Sequence, residues 1–249
     1  MRLKMLSCDA LAREVYLCAA TSPHVVDIQF LKRGLHDTPD VLRAELQKLI
    51  NEVGGDTYDA VCLGYALCGN SLLGLRGRHI PLVVPRGHDC ITLYLGSRGL
   101  YQDEFTTHPG TYYYTLDFLE RRDTNTNSVV PLGTTSDARR KEVYDEYVEK
   151  YGKDNADYLL EVMGGWMAHY NRAAFIDMGI ADSAAAEEQV RQEAQTKGWT
   201  FEKLVGKLIL LRKLIRGDWD ADFLVVPPNN QITVTYDDNV IGFEPCPPV

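Results

Sequence analysis

Before residue 97 the chain repeats one pattern. Short apolar runs end in turns bearing glycine or cysteine, and helical periodicity lies between them. Lys4–Cys8 reads as a short buried strand. Leu11–Ala20 reads as a helix, with Leu11, Val15 and Cys18 on one face. Val25–Leu31 is a second strand. Thr38-Pro39-Asp40 starts a second helix, with Thr38 as cap, Pro39 in the first turn and Asp40 at the positive dipole end. Leu42, Leu46, Leu49, Ile50 and Val53 follow at helical spacing, and Gly54-Gly55 ends the run. Tyr58–Leu63 is a third strand, leading into Gly64-Tyr65-Ala66-Leu67-Cys68-Gly69-Asn70. Ile80–Val84 is a fourth, leading into Pro85-Arg86-Gly87-His88-Asp89-Cys90. Strands alternating with helices predict an α/β fold. The sheet is mainly parallel, with right-handed crossovers and helices on both faces.

The later sequence predicts a second α/β lobe. Thr111–Thr115 is aromatic and β-prone, and Asp123–Asp137, polar and rich in Thr and Asn, reads as a linker. Helices are expected at 138–151, 155–170, 184–197 and 202–216, with buried strands at Ala174–Met178 and Phe223–Val226. The tail Pro245-Cys246-Pro247-Pro248 reads as irregular. The expected division is a cysteine-bearing lobe over 1–122 and a helix-rich lobe over 138–249.

Composition narrows the function. The 249 residues are 45% hydrophobic, enough for one large core or two small ones. Lys and Arg number 26 against 35 Asp and Glu, a formal net charge of −9, and the basic residues are scattered. That balance disfavours nucleic acid, whose binding depends on neutralising phosphates. No stretch approaches the roughly 18 apolar residues of a membrane span; Leu204–Ile215, the most apolar, is broken by Lys207, Arg212 and Lys213. The N-terminal residues lack the apolar run of a signal peptide. A cytoplasmic protein is the expectation, in which six cysteines suit thiol or metal chemistry better than disulfides.

Ligands of parallel α/β sheets bind outside the carboxyl ends of the strands. Cys8, Cys68 and Cys90 lie at or just after three such ends, so their thiols converge on one edge. Thiolates suit zinc or an iron–sulfur cluster, although no Cys-x-x-Cys pair is present and buried structural thiols are the competing reading. His88 is placed to move a proton or donate nitrogen, and Asp89 to orient it, bind substrate or close its own turn. Arg86 is an anion fork or a surface ion pair. Tyr65 and Asn70 flank Cys68, and Tyr101, Tyr112 and Tyr113 either cover the site or fill core. His36 follows the second strand toward the same edge. Cys62 and Cys18 read as core and Cys246 as incidental. Nucleotide-loop and nucleophile-elbow motifs are absent.

Leu63–Gly69, Pro85–Ile91, Leu95-Gly96-Ser97, Pro109–Tyr113, Tyr151-Gly152 and Asn155-Ala156 together resemble the uncharacterised family known as domain of unknown function sixteen-thirty-eight. The departures are Ala66, where the family typically has Gly, and Gly87, where it often has Ala. The resemblance places family motifs on Cys8, Cys68 and Cys90, with His88 and Asp89 between. It also implies a genomic association with corrinoid-dependent methyltransferases, and so with anaerobic one-carbon metabolism.

The expectation is a metalloprotein, with Cys8, Cys68 and Cys90 holding a 4Fe-4S cluster or zinc. As a lyase or transferase it would use Arg86, Tyr65 and Asn70 to bind a small anionic substrate, and His88 with Asp89 for proton chemistry. Two alternatives stand beside it: an accessory protein handling metal, methyl groups or a corrinoid partner, and a thiol-only redox protein.

Overall fold

The computed structural model describes residues 1–121, 148–149, 152–153 and 169–247. The expected linker at 123–137 and the expected helices at 138–151 and 155–170 lie, but for a few residues, outside the described residues. The chain forms two compact units, Met1–Gln102 with Gly206–Val249, and Asp103–Val205.

In the first unit, β1 (Arg2–Cys8), β2 (Val25–Leu31), β3 (Ala60–Gly64), β4 (Leu82–Pro85) and β8 (Phe223–Val226) form one sheet of order β2-β1-β3-β4-β8. The first four run parallel; β8 joins β4 antiparallel. Every residue of β3 and β4 is buried, which is why both read as unbroken apolar runs. On one face, Val61 and Leu63 pack with Leu42, Leu46 and Ile50 of α2 (Pro39–Glu52). On the other, Cys62 donates its thiol proton to the carbonyl of Leu214, 3.8 Å away in the helix Ile209–Arg216 (α7). α1 (Ala12–Ala20) buries Val15 and Cys18. Helices therefore cover both faces, as expected.

Gly64 is fixed by a close approach. It sits opposite Ser7 in the β1–β3 register, and a Cβ there would stand 2.6 Å from Ser7 Cβ and 2.8 Å from Met5 Cε.

The second unit is a parallel sheet of β5 (Thr111–Thr115), β6 (Arg172–Asp177) and β7 (Thr200–Val205), in that order. Its core joins Tyr112, Tyr114 and Phe175 to Val190 and Ala194 of the helix Ala184–Lys197 (α6). Arg172, with 5% of its side chain exposed, meets Glu104 and Glu202 at 2.7 Å each.

Four expectations are corrected. Phe223–Val226 does not belong to a second lobe: its Val226 and Val225 pair with Leu82 and Val83 of the first sheet, where β4 offers an open apolar edge. The division at 122 and 138 is thus replaced by a first unit built from both ends of the chain. The span 202–216 is not one helix, because the edge strand β7 precedes α7 and the two run together in sequence as one apolar stretch. After β8, Asn230–Val234 (β9) and Ile241–Pro245 (β10) pair antiparallel, and Cys246 and Pro247 beyond them are irregular, as expected. Finally, Thr38 precedes α2 but makes no side-chain capping bond.

Candidate functional site

The strand order sets the site's location. The chain leaves β1 toward β2 on one side and resumes at β3 on the other, so the carboxyl ends of β1 and β3 flank a topological switch point. Cys8 is the last residue of β1, and the turn carrying Tyr65 and Cys68 follows β3.

That turn has an unusual backbone. Cys68, Gly69 and Asn70 are consecutively left-handed, with φ of 44°, 64° and 70°. For a residue with a Cβ this conformation costs about 1–2 kcal/mol and persists only where the surroundings enforce it. Here they do. The Leu67 amide donates to Gly87 O at 3.0 Å and the Cys68 amide to His88 O at 2.9 Å. The buried Ser71 hydroxyl donates to Cys68 O at 2.7 Å.

Burial pushes the Cys68 thiol up to about 12, with the charges of Asp89 and Cys8 adding to the effect. Burial likewise holds Cys90 well above an ordinary thiol, reinforced by Cys68, Asp89 and Cys8. The Tyr65 phenol is raised by burial and by Cys8, Cys68 and Asp9. The three thiols therefore act on one another, and Cys8 and Cys68 act on Tyr65 as well. The Tyr65 side chain is buried, and its hydroxyl has no hydrogen-bond partner among the described residues.

Thiols held protonated are poor nucleophiles, which weighs against the thiol-only reading. A bound cationic centre reverses this logic, because a coordinating thiol is deprotonated outright. Among the described residues no three His, Cys, Asp or Glu side chains are gathered into a set able to hold one metal ion. A single zinc needs every sulfur about 2.3 Å from one atom. A cluster attaches each thiolate to a different iron and accepts a wider triad. The soft donor set and the unpartnered Tyr65 hydroxyl fit such a group.

Next to the triad, Asp89 accepts from the Ile91 amide at 3.0 Å, at the start of α3 (Ile91–Leu95), and from the Tyr101 hydroxyl at 2.9 Å. Burial raises the Asp89 carboxyl. His88 is exposed and lies against the Tyr101 ring at 6.2 Å. A cleft of about 340 Å3 opens here, bordered by Arg86, His88, Thr92, Arg98, Tyr101 and Asp238 among others.

The remaining candidates divide. Arg86 borders the cleft, but its Nε donates to Phe223 O at 3.2 Å and its Nη1 to the carbonyls of Asn239 and Ile241. Much of this guanidinium therefore ties β8 to the final hairpin. Asn70 is exposed, and its carbonyl accepts from Arg43 Nη2 at 2.9 Å. His36 lies in the single turn Leu35–Asp37; its carbonyl would stand 3.9 Å from a Cβ at Gly69, and its Nε2 is 3.5 Å from Asp37. Tyr101 borders the cleft. Tyr112 instead packs against Tyr170 and Trp199, with ring centres at 4.6 and 5.2 Å, and Tyr113 is buried. Cys18 and Cys62 are core thiols, both raised by burial, Cys18 to about 11. The sequence reading missed Thr92, Arg98 and Asp238. No motif marks them, since the fold alone brings the final hairpin to the strand ends.

Residues 30–215 match the family described as protein of unknown function (DUF1638). The chain belongs to this family. The DUF1638 span holds the Cys68 and Cys90 turns, while Cys8 precedes it. No curated protein and no solved structure matches the chain.

Proposed function

We propose that this DUF1638 protein is a metalloenzyme in which Cys8, Cys68 and Cys90 hold an iron–sulfur cluster, acting on a small anionic molecule in the adjoining cleft. The reading is supported by the placing of Cys8, Cys68 and Cys90 at or just after three strand ends beside the switch point, near enough for the charges of Cys8 and Cys68 to raise Cys90, and by the buried Tyr65 hydroxyl, which lacks a partner among the described residues. The cluster is preferred to zinc because it asks less contraction of the three turns. When bound, such a group supplies a Lewis-acidic iron for a substrate oxygen, nitrogen or sulfur.

The chain's own residues would do the rest. The Tyr65 hydroxyl would donate to the bound group or to substrate beside it. Exposed His88 would carry a proton between the cleft and solvent. Tyr101 holds Asp89 in place through its hydroxyl.

The test is anaerobic purification with assay of iron, zinc and acid-labile sulfide. Iron and sulfide in equal amounts, lost in Cys8→Ser, Cys68→Ser and Cys90→Ser but kept in Cys18→Ser, is the expected result. Zinc alone would replace the cluster with a single ion. Absence of both metals, with Cys68 and Cys90 alkylated in the folded chain, would overturn the proposal.

A further inference from the structure

The cleft beside the cysteines brings two arginines together, with Asp237 and Asp238 also on its border. Arg86 and Arg98 both border it, and the positive charge of Arg98 helps to depress the Arg86 guanidinium, after the larger effect of burial. Neither arginine forms an ion pair among the described residues. Arg98 donates instead to the main-chain carbonyl of Asp238. The Asp237 carboxylate accepts from the Asn239 amide at 3.0 Å and from Asn239 Nδ2 at 2.9 Å, and its charge offsets part of the effect of Arg98 on Arg86.

The helix Arg98–Thr107 (α4) adds to this. It begins at the cleft, with Arg98 and Gly99 in its first turn. The Ser97 hydroxyl takes the Leu100 amide at 3.3 Å and the Ser97 carbonyl takes the Tyr101 amide at 3.1 Å. The Arg98 and Gly99 amides have no acceptor among the described residues. A basic residue opening a helix opposes the macrodipole, an arrangement that a bound anion relieves.

The second, independent observation is Thr92. It is 1% exposed, borders the cleft, and its hydroxyl has no hydrogen-bond partner among the described residues. A buried hydroxyl without a partner costs about 1–3 kcal/mol. An oxyanion in the cleft would accept from it.

We infer that the cleft is an oxyanion-binding site, in which Arg98, the first turn of α4 and the Thr92 hydroxyl hold the carboxylate or phosphate of a small metabolite, with Arg86 behind them. A volume of about 340 Å3 is at the small end for ligand pockets. It suits a dicarboxylate or a short phosphate ester. That this anion is the substrate rests on the proposed function; that it binds here does not.

The test is calorimetric titration of the full chain with inorganic phosphate and with malonate. One or both should bind at millimolar concentration or tighter, and the better ligand identifies the substrate's anionic group. Arg98→Gln and Thr92→Val should each weaken binding, Arg98→Gln by about tenfold or more. Thr92→Ser should retain it, and circular dichroism should show all variants folded. Cys68→Ser should lose metal yet keep anion binding, which separates this site from the cluster. Failure of both anions to bind, or binding undiminished in both Arg98→Gln and Thr92→Val, would overturn the inference whatever the metal content.

Discussion

The Cys68 amide donates to the His88 carbonyl at 2.9 Å, joining the turn after β3 to the turn after β4. With the adjacent Leu67-to-Gly87 bond, it extends the strand pairing beyond the sheet edge into what would otherwise be two loops. The amides of Leu67 and Cys68 should therefore exchange with deuterium as slowly as those of β3, and together. Loop-like exchange at either would show that the turns move independently.

Gly64 has no room for a side chain. Gly64→Ala forces a Cβ against Ser7 and Met5 in the central β1–β3 pair, so a loss of about 2–3 kcal/mol is expected, read as a lowered urea midpoint. Ser7→Gly in the same chain should recover part of it, since Ser7 is the nearer obstacle. An unchanged midpoint in Gly64→Ala would contradict the register.

Alkaline pH should destabilise the metal-free protein. The Cys68 thiol titrates near 9 in the unfolded chain and at about 12 when folded. Between those values the folded form keeps a proton that the unfolded form has released. Its contribution to stability is complete below pH 9 and is lost as pH rises toward 12. Urea midpoints measured from neutral pH upward should fall beyond pH 9. Bound metal should remove the Cys68 share of that fall, because a ligating thiolate has no proton to lose.

Arg172→Met should lower the stability of the second unit by about 2–4 kcal/mol, below the full value for a buried pair because Glu202 is half exposed. It leaves Glu104, 21% exposed, without its cation. Thermal melting of the full chain followed by Trp199 fluorescence is the direct measurement. A shift smaller than that of an exposed control such as Arg191→Met would show the triad to be energetically idle.

Much of the first sheet was legible because its central strands are covered on both faces. Ala60–Gly64 and Leu82–Pro85 have no exposed side to break their apolar runs. The edge strand Thr200–Val205 was not legible: its residues are exposed or half-buried, and Phe201 and Leu204 blend into the helix that follows. The three cysteines could be placed because strand ends locate them without any knowledge of side-chain contacts. The oxyanion cleft could not. Arg98 and Asp238 lie 140 residues apart, and only the return of the chain through β8 brings them together. The left-handed Cys68 was also hidden, since sequence marks that conformation only when glycine adopts it.

The antiparallel β8 bears on synthesis. β4, whose end leads into the Cys90 turn, waits for its neighbour while more than a hundred residues, including the whole second unit, leave the ribosome. Until then β4 is an unpaired apolar edge, the kind that invites pairing with another chain. Nascent chains stalled before Phe223 should depend on chaperones in a way that chains carrying β8 do not, and the cysteine turns would gain their final walls only once β8 and the hairpin after it have emerged.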